Sequence, residues 1–285
     1  MFGPNLMIGA PDRVLDALIT GGSWAAGYGA SSMQDRRVTE VARSSSLLLT
    51  ATKVTIDLGA AYTIRIAHAS NHNAPQAGLW RIRAGTAAGL HDLYDSDWVD
   101  CHAITYSETG VEWLAPDWWG AGLDTGVYGC PYALTHILPA DVVARYWSVE
   151  WDATASTEAY LQVGRLVLCP AFQPRRGAIY GADHGHIDGS TKTKLITGGF
   201  SAMEARAPRK TAFSLPIVGT GAEEYRLRDI LRRQRTVRDV VYIPNPADPV
   251  RTQMTGFLGT LDELRGVRRM SRDANAIDLQ MTESM

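Results

Sequence analysis

Asp183-His184-Gly185-His186-Ile187-Asp188 sets two imidazoles on alternate positions. In an extended segment alternate side chains point the same way, so His184 and His186, joined by Asp188, have the arrangement of a metal site. The cluster is local and flanked by glycine, and a polar turn between domains accounts for it without an ion; no metal and no other cofactor is expected. A second group is aromatic. Trp113, Trp118 and Trp119 carry flat apolar faces that can stack on sugar rings, and Asn71, His72, Asp117 and Tyr128 can supply contacts to the hydroxyl edges. Tryptophan and tyrosine anchors are equally at home between subunits, and an interface is the use favoured for these rings.

The third group is basic: Arg226, Arg228, Arg232, Arg233, Arg235 and Arg238, with Arg265, Arg268 and Arg269 farther on. Phosphate backbones attract such runs, but no stacking aromatics are interleaved and thirteen acids share this part of the chain. A charged interface between copies, or the wall of a tube through which DNA passes, is therefore expected rather than sequence-specific nucleic-acid binding. Glu112, Asp117 and Asp124 are near neighbours in sequence. Glycoside hydrolysis needs two carboxyls about 5 to 10 Å apart, a distance that spacing along the chain does not set. Ser/His/Asp and phosphate-loop signatures are absent, so no enzyme is expected. Cys101, Cys130 and Cys169 are odd in number and too scattered for a zinc knuckle, which points to buried free thiols.

These groups sit on a 285-residue chain, long enough for two domains, with 45% hydrophobic residues to build their cores. The net charge of -2 conceals an asymmetry. Residues 1–170 hold 10 Lys and Arg against 17 Asp and Glu, whereas residues 171–285 hold 18 against 13. All eight tryptophans precede residue 152, so the composition changes where Pro170 to Pro174 punctuate the chain. Opposite charge on two parts of one chain suits head-to-tail contacts between copies, and equally an intramolecular interface. No apolar run of about 18 residues occurs, and Met1-Phe2-Gly3-Pro4-Asn5 does not start a signal peptide. A soluble protein made in a cytoplasm, without membrane insertion, is expected.

The elements that must position the groups are mostly strands. In Arg145-Tyr146-Trp147-Ser148-Val149-Glu150-Trp151, polar and apolar residues alternate, and Leu161, Val163, Leu166 and Leu168 bury the face of a second strand. Val54–Gly59 reads as a strand ending in a turn glycine, Ile64–His72 as the next, Leu79–Ala84 as a third, and Asp95–Trp98 as a turn with a short strand. This predicts an N-terminal arm over 1–35, a β-sandwich over 36–170 and, within it, a long aromatic and glycine-rich insertion over 107–135 of the sort that often carries recognition. Residues 171–285 read as a β domain with one helix, Ala222–Gln234, whose Leu227, Ile230 and Leu231 share a face. Early glutamates and late arginines suit the helix dipole. A strand is expected from Met254 to Leu261.

Through Val54-Thr55-Ile56-Asp57-Leu58-Gly59 and Arg145–Trp151, residues 36–170 resemble the discoidin-like or carbohydrate-binding jelly roll. Residues 171–285 resemble the tube-related β domain of tailed-phage tail-tip proteins, especially distal tail proteins. That likeness rests on strand order, the single helix, Gly256-Phe257-Leu258-Gly259-Thr260-Leu261 and the closing Ile277–Glu283. Distal tail proteins usually place the tube domain first, whereas here only the arm precedes the jelly roll. The resemblance implies a mainly β fold, a jelly-roll β-sandwich plus a tail-tube-like β domain with one helix, in a structural protein of a siphophage tail tip or baseplate. It implies a homo-oligomeric ring, a hexamer or else a trimer, that continues or closes the tail tube beside tube and hub proteins. A carbohydrate-binding module for a host-surface glycan is the other function considered, with a glycan hydrolase third.

Overall fold

The computed structural model of this chain describes residues 5–37, 39–103, 133–179, 181–194, 198–218, 221–269 and 274–284. It is mainly β: two antiparallel sheets and a separate two-stranded hairpin. After β1 (Met7–Gly9), eight strands build the sandwich: β2 (Leu18–Thr20), β3 (Ala42–Arg43), β4 (Lys53–His72), β5 (Leu79–Gly85), β6 (Tyr94–Asp95), β7 (Val99–Asp100), β8 (Leu134–Asp152) and β9 (Gln162–Cys169). Their order is β3-β9-β4-β8-β5-β6, with β2 beside β4 and β7 beside β5.

Alternation builds the core. Val54, Ile56 and Leu58 of β4 point inward against Trp147, Val149 and Trp151 of β8, all buried. Trp80 pairs with Trp151, while the small Ala84 lies opposite Trp147 and leaves room for its indole. Two strands were expected over residues 54–72; one 20-residue strand turns a corner instead. Its pairing with β8 breaks between Asp57 and Tyr62. Gly59 sits there at φ 75 and donates its N–H to Asp57 Oδ1 at 2.8 Å, a local bond that bends the chain without ending it. The first half of β4 pairs with β2 and the second with β9.

Much of the expected N-terminal arm belongs to the sandwich. Val14, Ala17 and Met33 lie in its core, and Gln34 Nε2 donates to the carbonyls of Val14 and Ala17, both at 2.6 Å. The sequence hid this because so short a segment, with a 3-10 helix at Ala30–Gln34 and one three-residue strand, carries no sustained period.

The second sheet comprises β10 (Ala171–Phe172), β11 (Asp183–His186), β14 (Arg209–Val218), β15 (Val240–Ile243), β16 (Phe257–Leu261), β17 (Arg268–Arg269) and β18 (Ala274–Glu283), with β12 (Thr191–Lys194) and β13 (Phe200–Met203) as the separate hairpin. Its order is β10-β1-β15-β16-β18-β14-β11, so the N-terminal strand is threaded between strands from the other end of the chain. Helix α1 occupies Ala222–Gln234, with Leu227 and Leu231 packed on Phe213, Leu215 and Ile277. A second helix, α2 (Pro249–Thr255), was not expected. Asp248 caps it by accepting from the Arg251 N–H, and Pro249 opens it without losing a hydrogen bond. The strand read from Met254 therefore starts only at Phe257, because Gly256 N–H still bonds the Thr252 carbonyl.

A third apolar cluster joins the two domains: Ile66, Val167 and Cys169 from the sandwich meet Met7, Val241, Ile243 and Leu258. The contact is tightest at Gly9, where an added Cβ would lie 2.6 Å from Cys169 Sγ and 2.9 Å from Ile66 Cδ1. Overpacking of this kind costs about 1–3 kcal/mol. Gly9→Ala is accordingly expected to lower the urea midpoint, and an unchanged midpoint would refute the close fit.

Candidate functional site

The joint between the domains is also ionic. Arg165 on β9 is fully buried and bonds Asp12 at 2.6 Å and Asp239, which leads into β15, at 3.5 Å; both carboxylates are almost wholly buried. Arg165 also donates to the Gln34 carbonyl, and Ser284 donates to Asp239 Oδ1 at 3.3 Å. One guanidinium between two carboxylates leaves an excess negative charge in an apolar setting. Burial pushes Asp12 up to about 6 against the opposing pull of Arg165, and Asp239 shifts in the same direction for the same reason. The network ties residues 12, 165 and 239 into one unit and holds the sandwich against the second sheet.

On the far side of the second sheet the chain is open. β11 ends the sheet order, and its four residues are exposed. The hairpin β12–β13 pairs only with itself among the described strands, and all eight residues are exposed. Its register sets Phe200 opposite Lys194 and Met203 opposite Thr191, so each face carries one large apolar side chain. Phe200 is 71% and Met203 70% exposed. The six arginines singled out from the sequence are also exposed: Arg226, Arg228, Arg232 and Arg233 on α1, Arg235 at its C-cap and Arg238 beyond. Arg228 and Arg233 are engaged within the helix by Glu224 at 2.7 Å and Asp229 at 2.9 Å.

Of the glycan candidates, Asn71 and His72 are among the described residues. Trp113, Asp117, Trp118, Trp119 and Tyr128 lie outside the described residues, as do Glu112, Asp124 and Cys130. Asn71 is part-buried with φ 52. His72 is buried; its Nδ1 accepts from the Ala74 N–H at 3.1 Å and its ring lies 5.3 Å from that of His102, so it serves the turn after β4 and not a surface. Asp183–His186 forms strand β11, paired with β14, and not the interdomain turn expected from its glycines. His184 Nδ1 lies 3.1 Å from Thr211 Oγ1, and Asp188 accepts from the Ser190 N–H at 2.8 Å. Among the described residues no three His, Cys, Asp or Glu side chains are grouped to hold a metal ion. Cys101 and Cys169 are buried free thiols, and burial pushes Cys101 up to about 12.

Sequence reasoning missed a polar and aromatic cluster at one end of the sandwich. The Arg43 guanidinium lies 4.5 Å from the Tyr28 ring and 5.0 Å from the Tyr160 ring, and its Nε donates to Gln162 Oε1 at 3.1 Å. Asn73 donates to Glu158 Oε2 at 2.9 Å and accepts from the Gln162 N–H at 2.6 Å. Tyr28 stands between two glycines, the one local sign of an exposed ring.

No family model matches the chain, and no curated protein matches it in sequence. Several solved structures that overlap it are lectin or carbohydrate-binding domains. The family 32 carbohydrate-binding module of NanJ from C. perfringens, in complex with galactose, is 11% identical over 56% of this chain and 98% of its own, with a TM-score of 0.37. The lectin domain of lectinolysin complexed with Lewis B antigen is 12% identical over 56% and 96%, with a TM-score of 0.34. A fucolectin from striped bass, Morone saxatilis, is 10% identical over 95% and 97%, with a TM-score of 0.36. Overlaps this loose bear on neither ligand nor role.

Proposed function

We propose that this chain is a structural component of a siphophage tail tip or baseplate, whose copies close into a ring that continues the tail tube and displays the sandwich outward. The observation that carries the reading is the hairpin β12–β13. An isolated two-stranded hairpin is marginal in water, yet this one stands exposed with Phe200 and Met203 on opposite faces. Gripped between neighbouring copies, both faces are covered. The outer edge of β11, unpaired among the described strands, offers backbone groups to a strand of the next copy. The exposed arginines of α1 oppose the net negative charge of residues 1–170 in a head-to-tail contact. The resemblance of residues 171–285 to distal tail proteins supports the same assembly, with sixfold symmetry expected and threefold the alternative. The protein then resides at the virion tail tip, between tube and hub proteins.

Mass photometry and light scattering on the full chain test this. Wild type is expected to form a closed oligomer that Phe200→Asp with Met203→Asp reduces to protomers without change in the circular dichroism of the fold. A wild-type chain that stays monomeric at high micromolar concentration would sink the proposal.

The second reading, glycan recognition by the sandwich, is favoured by the Tyr28, Arg43 and Tyr160 cluster, which combines the exposed Tyr28 ring and the half-buried Tyr160 ring with Glu158, Asn73 and Gln162 as hydrogen-bonding groups. A glycan array should then show binding that Tyr160→Ala abolishes while assembly persists. An empty array, or binding indifferent to that change, counts against it.

A further inference from the structure

A cavity of about 350 Å³ lies between the two domains, walled by Val99–Ala103, Ala133 and Thr135–Ile137 of the sandwich and by Pro246, Pro249, Thr252 and Gln253 of the second domain. Two of its lining side chains are more than nine-tenths buried and carry a nitrogen without a hydrogen-bond partner among the described residues: His102, 7% exposed, at Nδ1, and Gln253, 6% exposed, at Nε2. Unmade hydrogen bonds at buried polar atoms are costly, so two of them lining one cavity need an explanation.

Their chemistry is legible from the bonds they do make. His102 Nε2 lies 3.3 Å from the Ala74 carbonyl. A carbonyl only accepts, so Nε2 carries the hydrogen and Nδ1 presents a bare lone pair. Gln253 Oε1 accepts from the Ala103 N–H at 2.6 Å, which fixes the amide orientation and leaves Nε2 as a donor. The site therefore offers one acceptor and one donor. A hydroxyl group both donates and accepts, and a vicinal pair of hydroxyls answers both. Apart from Asp100, an exposed carboxylate, the lining carries no Asp, Glu, Lys or Arg side chain. Burial lowers His102 and holds His136 down at about 4, so both imidazoles are neutral at neutral pH, and the Cys101 thiol stays protonated. Pro246, Pro249, Val99 and Ile137 supply apolar surface. A volume of this size is in the range of small-molecule sites.

We propose that this interdomain cavity binds an uncharged hydroxylated small molecule of about monosaccharide size, held by His102 and Gln253 with its apolar face on the prolines. The site is remote in sequence from the Tyr28, Arg43 and Tyr160 cluster and independent of the assembly proposed above. Occupancy would brace the sandwich against α2, because the two polar anchors come one from each domain.

The full chain is to be titrated with D-galactose, D-glucose and myo-inositol, and with glucose 6-phosphate and glucosamine as charged counterparts, by saturation-transfer NMR and calorimetry. At least one neutral probe is expected to bind in the millimolar range, with its charged counterpart about tenfold weaker or more, which is about 1.4 kcal/mol. Gln253→Leu should weaken binding about as much, and Ala103→Trp, which fills the cavity, should abolish it while the melting curve shows a folded chain. If either variant unfolds, Ala103→Leu and His102→Phe provide the same comparison. No binding by any neutral probe overturns the proposal. So does binding that survives the filled cavity, or that is lost on Tyr160→Ala instead, which would assign it to the end of the sandwich. Preference for the charged probes also overturns it.

Discussion

Replacing Arg165 by methionine is expected to destabilise the chain by about 3–5 kcal/mol, because it strands two carboxylates in an apolar joint. Asp12 and Asp239 are almost wholly buried, and the guanidinium that bonds both is their common countercharge. The intact network contributes far less than this loss, since each of its three charges has given up water to be there. The triple variant Arg165→Met, Asp12→Asn, Asp239→Asn should therefore recover much of the stability. Urea unfolding of the single and triple variants measures both, and a loss below about 1 kcal/mol for Arg165→Met would mean that the joint is open to water. The display role proposed above would make use of such a joint: a sandwich hinged on a flexible linker would sample many directions, whereas one locked by Arg165 and the Gly9 contact keeps one orientation relative to the second sheet.

Acid should destabilise the fold well above the range in which exposed carboxylates titrate. His68 is fully buried, with Nδ1 3.0 Å from Thr135 Oγ1 and no partner on Nε2, and burial holds it down at about 3. His136 is held at about 4 by burial beside Tyr94 and Trp80. In the unfolded chain both gain a proton near 6.5, so each withdraws about 1.4 kcal/mol of stability per pH unit as pH falls below that value. Asp12 acts in the opposite sense. Its folded value of about 6 lies above the ordinary 3.8, so the folded chain holds that proton more firmly and gains stability as pH falls from about 6 to 4. Of these three groups the two histidines outweigh the aspartate by about 3 kcal/mol between about pH 6.5 and 4.5, while the raised Asp239 adds to the offset and the lowered His102 adds to the loss. Unfolding midpoints across this range give the slope. His68→Met with His136→Phe should flatten it, and Asp12→Asn should steepen it. A wild-type midpoint that does not move over that range would rule out neutral, buried imidazoles.

The parts of the fold that were legible in the sequence are those whose rule is local. Tyr146, Ser148 and Glu150 alternate with Trp147, Val149 and Trp151, and a strand with one buried face must read that way. Helix α1 was equally plain over Ala222–Gln234, since Leu227 and Leu231 return to one face every turn. Seven-residue α2 has too few turns to repeat anything, and its signal was confined to the Asp248 cap and Pro249. The corner in β4 depended on one glycine and one aspartate, which read more simply as a turn between two strands. His72 looked like a polar group at a strand end, and its burial beside His102, thirty residues on, is a tertiary contact.

What the amino-acid order determined alone was the mainly β character, the helix over Ala222–Gln234 and the charge contrast between residues 1–170 and 171–285. Tertiary structure decided which distant residues meet: Asp12 with Arg165 and Asp239, Tyr28 with Arg43 and Tyr160, Ala103 with Gln253. Periodicity records burial of one face against whatever lies opposite, so it is written within a dozen residues. A charge pair or a cavity records which strands close on which, and that is settled only when the N-terminal strand inserts between β10 and β15.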